Sequence, residues 1–431
     1  MKMKIVLVNY RYFFSGGPER YMFNIKQLLE EHGHEVIPFS VKSKRNIPLD
    51  NPEYEKYFLD IVDDEVYFSD TKKTPKTVIK QLSRIFYSFE AKRKMKELIR
   101  AEKPDLVYIL QMYSKISPSI VFAAKEENVP VVHRISDFHY MCPNSMFYNE
   151  KIGLCEDCLK GKRLSCLKYN CVFNSKGYSG IKMLEKLFHD KIGVARKIDQ
   201  FVLPSEFTYE KMHEYGIPYE KLNHIPTFFN LKDLYPSVNY DNNGEPFVLY
   251  IGRIEKPKGL MTLVTAFLGL PYKLKIIGFS SEGYEDELKE FLGVKKGTSF
   301  YGSNGNIEFL GKKTFEEIEP YLKSCLCTIV PSEWYDNFPN SLIESYAFKK
   351  AVIATDLGSL QYMVKDGETG LKFKYKDIDD LRNKIHWIFE HQNEAKKMGE
   401  NGFELVKTCY SPETHYDALI RLFTKVKNNN I

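Results

Sequence analysis

The stretch FVLYIGRIEKPKGLMTLVTAFL, residues 247–268, decides the fold class. Phe247 to Ile251 form an apolar run that enters a loop bearing Gly252 and Gly259, and an apolar-periodic segment follows. That order is strand, glycine-bearing turn, helix, the unit of a nucleotide-binding parallel sheet. The start of the chain repeats it. IVLVN (5–9) leads through FSGGPERY (14–21) into a helix with Met22, Ile25, Leu28 and Leu29 on one stripe, Glu19 near its amino end and Gly33 as its C-cap. Further short aliphatic runs stand at 105–110, 129–135, 200–204, 273–278, 307–311, 327–331 and 351–355, with helical segments between them. Continuous rather than alternating apolar strands are buried on both faces, so the fold class is α/β with parallel sheets.

A chain of 431 residues that is 43% hydrophobic can bury two cores, and the two strand–loop–helix units give each half its own Rossmann-like domain. The polar stretch LKDLYPSVNYDNNGEP (231–246) is the expected boundary. The first domain is expected over 1–235 and the second over 240–410. The last helical segment, about 412–428, is assignable to either, with packing back on the first as the expectation.

A net charge of +5 is too mild for a nucleic-acid protein. The opening MKMKIVLVNYRYFF holds only four apolar residues in a row before Asn9 and Arg11 and reads as a buried strand rather than a signal peptide. No apolar run approaches the ~18 residues of a membrane span, so a cytoplasmic location is expected. The basic tract 72–103 mixes Lys92, Arg93, Lys94, Lys96 and Arg100 with Phe89, Met95, Leu98 and Ile99. It suits peripheral contact with the inner face of an anionic membrane, and equally a solvated helix packed on its domain. No pattern reports an oligomeric state.

WYDNFPNSLIE (334–344) places Asp336 on a loop and Glu344 about two turns into a helix that Pro339 opens at its first position. The loop and helix start, Asn337, Phe338, Pro339 and Asn340, are thereby aimed at a ligand. A helix amino end binds phosphate through free N–H groups and its positive dipole end. YIGRIEKPKGL (250–260) brings two cations, Arg253 and Lys258, to hold a diphosphate and stabilise its departing charge. Gly16 and Gly17 precede a helix in a loop that lets backbone N–H groups approach a ligand closely. No GxGxxG fingerprint follows any strand, which argues against an NAD enzyme.

Cys325 and Cys327 lie in a strand and Cys409 stands alone, but Cys142, Cys155, Cys158, Cys166 and Cys171 crowd into thirty residues. Without a secretory signal such crowding points to metal before disulfides.

GGPER, PSEF (204–207), GIPYEKLNHIP (216–226), IGRIEKPKG (251–259), IEFLG (307–311), WYDNFPNSLIES (334–345), AVIATDLGS (351–359) and DGETGLKF (366–373), in that order, resemble glycosyltransferase family 4. That family comprises retaining enzymes of the GT-B fold, two Rossmann-like domains facing a central cleft. The resemblance implies that Arg253 and Lys258 grip the donor diphosphate, that Glu344 holds the nucleotide ribose, and that Gly16 and Gly17 approach the donor from the facing domain. Asp336 takes the place of a glutamate that touches the donor sugar and is one methylene shorter. In VVHRISDFHYMCPN (131–144) Ser136 stands where the family often has histidine, while Asp137 keeps its place as an acceptor-side candidate; His133 and His139 read equally as packed, solvent-facing or functional.

Some members carry a cysteine-rich insert, here about 142–175 within the first domain. Cys155 and Cys158 have a two-residue spacing that meets one Zn²⁺, and Cys166 and Cys171 complete a closed structural site. Free thiols, an iron–sulfur cluster and disulfides are the alternatives.

The resemblance implies transfer of a sugar from a nucleotide diphosphate sugar to a glycan or lipid-linked acceptor hydroxyl with retention, without a catalytic cofactor or metal, in surface polysaccharide or glycolipid synthesis. A nucleotide-sugar epimerase of the same fold and a catalytically silent GT-B subunit are the rivals.

Overall fold

The computed structural model describes residues 2–60, 75–230, 245–280, 283–293, 300–302 and 305–429. Most of the expected boundary, 231–244, lies outside these described residues. The chain divides into two compact units. The first comprises Met1–Ser145, Glu156–Ile225 and Tyr416–Ile431, the second Met146–Cys155 and Pro226–His415.

The first unit is built on six parallel strands in the order Glu35–Phe39, Lys4–Val8, Leu106–Ile109, Val131–Arg134, Gln200–Leu203, Leu222–His224. Ile5, Val6 and Val8 have no exposed surface, as a strand covered on both faces requires. From Lys4–Val8 the chain runs to Glu35–Phe39 on one side and later to Leu106–Ile109 on the other. The carboxyl ends of Lys4–Val8 and Leu106–Ile109 therefore flank a topological switch point, where open α/β sheets bind ligands. Gly16 caps the helix Gly17–Glu31 at that end, and Gly33 closes it at φ +81. Glu35–Phe39 is missing from the runs read in the sequence because Glu35 and Pro38 break its aliphatic pattern; as an edge strand it tolerates the proline.

From Tyr416 onward the last helix, Pro412–Asn428, belongs to the first unit. Tyr416 stacks on His32 with centroids 3.7 Å apart, Phe423 meets Tyr108 edge-on at 5.1 Å, and Lys427 Nζ lies 2.7 Å from Asp105 Oδ1. Phe423 is fully buried, so Phe423→Leu is expected to cost about 1 kcal/mol of unfolding free energy in urea melts by loss of the edge-to-face contact.

Seven strands form the second sheet, in the order Phe300–Tyr301, Ile307–Phe309, Lys273–Ile277, Phe247–Ile251, Cys327–Val330, Ala351–Thr355, Gly370–Phe373. All pairings are parallel except that of the edge strand Phe300–Tyr301. Its order reverses between Phe247–Ile251 and Cys327–Val330. The switch point therefore falls where IGRIEKPKG and PSEWYDNFP leave the sheet.

A two-stranded hairpin, Tyr148–Asn149 with Gly153–Leu154, also belongs to the second unit, although the cysteine-rich segment 142–175 was expected within the first domain. The physical reason is an apolar anchor: Phe147 is fully buried and meets the Tyr335 ring at 6.1 Å.

Among the described residues no helix is long and apolar enough to cross a membrane. Residues 72–74 of the basic tract lie outside the described residues. In the rest, the helix Phe89–Glu102 matches much of its charge locally. Lys92 and Lys96 each lie 2.6 Å from Glu126, Arg93 lies 2.6 Å from Glu97 and Arg100 lies 2.7 Å from Glu127. Lys94 is buried and donates to the Phe58 and Lys56 carbonyls.

Candidate functional site

The second unit gathers most of the site residues read from the sequence. Strand Phe247–Ile251 delivers Gly252 to Gly259, and strand Cys327–Val330 delivers Pro331 to Pro339. The two loops interlock at Gly259. Its φ is +72, which favours glycine, and a Cβ there would stand 1.9 Å from the Pro331 carbonyl oxygen. The Glu333 amide donates to the Pro257 carbonyl at 2.8 Å and extends the seam.

This seam places Lys258 against Asp336, with Nζ 2.6 Å from Oδ1. Ser332 Oγ donates to the other carboxylate oxygen, and Ser359 Oγ donates to the Asp336 carbonyl at 2.6 Å. Asp336 is 8% exposed, so both its oxygens are committed within the protein. The Lys258 ammonium also lies 5.1 Å from the centre of the Trp334 ring, and the Arg253 guanidinium lies 6.0 Å from it. Arg253 is exposed and holds Glu255 Oε1 at 2.8 Å. Two cations thus border one indole at the sheet's switch point.

Pro339 is the cap of the helix Asn340–Ala347, in extended backbone at φ −74 and ψ 106, rather than its first residue. Glu344 is accordingly the fifth helical residue, just over one turn in instead of two. No side chain caps this helix, and the Leu342 amide turns back to donate to the Pro339 carbonyl at 3.1 Å. Glu344 is buried, whereas Asn337 and Phe338 are half-buried on the loop before the cap.

The first unit holds Gly16, Gly17 and Asp137. Gly16 is exposed, with extended backbone that any residue adopts, and a Cβ there would meet nothing closer than 3.7 Å. Its glycine is therefore not required by the protein's own packing. Arg11 steadies this loop through Ser15 Oγ at 3.2 Å and the buried Glu19 at 3.5 Å. Asp137 is exposed, and Oδ1 accepts from the His139 amide at 2.9 Å. Ser136 accepts from Arg134 Nη1 at 3.1 Å. His133 is a packed residue: burial pushes its imidazole down to about 3, and Nδ1 meets Tyr140 Oη at 2.8 Å.

The cysteine segment forms no disulfide. Cys166 is buried and its thiol is pushed up, first by Cys171 beside it, then by burial and by Cys158 and Cys142. The thiols facing Cys166 within the first unit thus include Cys142, which was not among the four expected ligands, while Cys155 falls in the second unit.

A Glycosyltransferase Family 4 model matches residues 15–233, more than half of the chain, and a Glycosyl transferases group 1 model matches residues 232–405. The chain belongs to glycosyltransferase family 4. An uncharacterized glycosyltransferase of Methanocaldococcus jannaschii is 32% identical over 41% of this chain and 50% of its own length. A D-rhamnosyltransferase of Pseudomonas aeruginosa is 28% identical over 37% and 40%. The chain spans about half the length of the curated relatives it matches. Two solved structures cover nearly all of both chains. Sucrose-phosphate synthase from Thermosynechococcus elongatus aligns at TM-score 0.69 and 19% identity over 98% of this chain and 99% of that one. An Anabaena protein in complex with UDP aligns at 0.63 and 15% over 98% and 100%. At these identities they establish the GT-B fold.

In this family 4 glycosyltransferase, the sequence gives no sign of Glu333, which lies three residues before Asp336 on the same loop. Glu333 is buried, with Oε1 accepting from Thr262 Oγ1 at 2.6 Å and Oε2 3.2 Å from Lys376 Nζ. No spacing in the sequence links Thr262 or Lys376 to it. Trp334 opens the motif in the sequence, and its ring beside two cations is visible only once the loops are folded.

Proposed function

We propose that this glycosyltransferase moves a sugar from a nucleoside diphosphate sugar to an acceptor hydroxyl with retention at the anomeric carbon. The observation that carries the reading is the convergence of Lys258, Arg253 and the uncapped start of Asn340–Ala347 at the switch point of one parallel sheet. Such a place offers fixed positive charge to a diphosphate, and more of it as the leaving group gains charge. Glu344, on the helix behind, is the residue for the ribose hydroxyls. Retention follows if the acceptor attacks on the face from which the diphosphate departs and the departing phosphate oxygen takes the acceptor proton. A relative that transfers D-rhamnose and a fold neighbour crystallised with UDP support a sugar nucleotide as donor. A lipopolysaccharide core glycosyltransferase of Rhizobium meliloti among the relatives supports a surface glycan or lipid-linked acceptor.

The committed oxygens of Asp336 change its proposed role from sugar contact to holder of Lys258. Asp336→Asn keeps the shape and removes the charge. It is expected to lower kcat at least about tenfold with little change in donor KM, in a nucleotide-release assay. A raised KM with unchanged kcat would make Asp336 a simple binding residue.

The reading is tested by incubating the protein with UDP-, GDP-, ADP-, CDP- and dTDP-sugars, with and without a membrane lipid extract, and measuring nucleotide release. Acceptor-dependent release of one nucleotide is expected. Release of nucleotide together with a new free sugar in the absence of acceptor would show an epimerase, and no release from any donor under either condition would show a silent subunit.

A further inference from the structure

The first unit contains a cluster of metal-ligating atoms that the proposed sugar transfer does not use. His139, on the loop after strand Val131–Arg134, meets Glu185 and His189, which stand four residues apart on one face of the helix Lys176–Ile192. One donor atom from each lies within 4.8 Å of the other two, and all three residues are buried. Among the described residues they are the one such group of His, Cys, Asp and Glu.

Their hydrogen bonds show which atoms are left over. His189 Nε2 donates to the Phe86 carbonyl at 2.9 Å, which fixes Nδ1 as the unprotonated nitrogen; Nδ1 is buried and has no partner. Lys182 Nζ takes Glu185 Oε2 at 2.5 Å, and Oε1 is buried without a hydrogen-bond partner. His139 Nδ1 lies 3.3 Å from Ser145 Oγ, which turns Nε2 toward Glu185 Oε1, also at 3.3 Å. With the proton on His139 Nδ1, toward Ser145 Oγ, three lone pairs converge; with it on Nε2, that N–H serves Glu185 Oε1 and is the proton an incoming cation displaces. Unmet buried acceptors repel one another and are costly. A cation among them removes both penalties. A tetrahedral ion with bonds of about 2.0 to 2.1 Å spaces its ligands about 3.4 Å apart, close to the His139–Glu185 separation.

We propose that His139 Nε2, Glu185 Oε1 and His189 Nδ1 bind one divalent transition-metal ion of the zinc type. Two neutral imidazoles and a carboxylate suit zinc among common ions, and the outer contacts from Ser145, Phe86 and Lys182 orient the ligands as such sites require. Both imidazoles line a cavity of about 260 Å³ shared with Tyr113, Lys186, Asp190 and Tyr215, which supplies an entry path and a water for the fourth position. Tyr113 stacks on His139 at 3.6 Å and closes the opposite side of that ring. The ion pins the helix Lys176–Ile192 to the loop that carries Asp137, apart from the donor chemistry, and keeps its fourth position open.

Co²⁺ alone is the probe. Full-length protein stripped with chelator is titrated with Co²⁺ beside Glu185→Gln and His189→Ala, and the wild-type-minus-variant difference spectra are recorded. The expected difference is one equivalent of d–d absorption without sulfur-to-cobalt charge transfer, which separates this site from the cysteines. Its loss in Glu185→Gln, with an unchanged far-ultraviolet circular dichroism spectrum, excludes a folding defect; should His189→Ala fail to fold, Glu185→Gln decides. A flat difference spectrum, or one dominated by thiolate charge transfer, overturns the assignment.

Discussion

Lys258→Met is expected to lower kcat/KM by about 100- to 1,000-fold, the scale of removing one preorganised group that meets developing charge. The substitution retains the apolar stem against Trp334 and deletes only the ammonium, which stands 2.6 Å from Asp336 and 5.1 Å from the indole centre. Part of any loss comes from stability, because Asp336 is 8% exposed and would keep only Ser332 as a side-chain partner for its carboxylate. Leaving such a group unpaired costs about 1 to 3 kcal/mol. The double variant Lys258→Met/Asp336→Asn separates the two effects. Removing the stranded charge should restore much of the urea midpoint without restoring turnover. Recovery of both together would make Lys258 a stabilising residue only.

Gly259→Ala carries the largest expected stability cost. The new methyl group would stand 1.9 Å from the Pro331 carbonyl oxygen, a backbone atom that no side-chain rotation can move aside. It would also impose a φ of +72 on a residue with a Cβ, at about 1 to 2 kcal/mol, and overpacking adds about 1 to 3 kcal/mol. A loss near 4 kcal/mol in urea or thermal unfolding is the expected result. Since the displaced loop carries Lys258 on one side and Ser332 to Asp336 on the other, donor binding should fall even where the protein remains folded. A loss below about 1 kcal/mol would mean that the seam yields easily and does not position the site.

The sheet strands were legible where they are central. Phe247–Ile251 and Cys327–Val330 are runs without a charged residue, mostly apolar, because helices cover both faces. Edge strands were not: Leu222–His224 is polar, and Glu35–Phe39 is broken by proline. The site was legible as residues but not as roles. Asp336 and Lys258 are 78 positions apart, so their ion pair depends on the order of strands in the sheet. The same holds for the hairpin Tyr148–Leu154, which follows the first unit's strand in sequence yet is anchored through Phe147 on Tyr335. His139 stayed undecided between packed, solvent-facing and functional because its partners, Glu185 and His189, arrive from a helix some fifty residues later, beyond the reach of any spacing rule.

A sugar-nucleotide site at the second sheet's switch point makes one direct demand: the protein must bind a nucleoside diphosphate through Lys258, Arg253 and Glu344. Calorimetric titration of the full chain with UDP, GDP, ADP, CDP and dTDP measures it. Binding of at least one with a single site is expected, abolished or weakened at least about tenfold in Lys258→Met and in Glu344→Gln. Absence of binding to all five, or binding of equal strength by both variants, would contradict a donor site built from these residues.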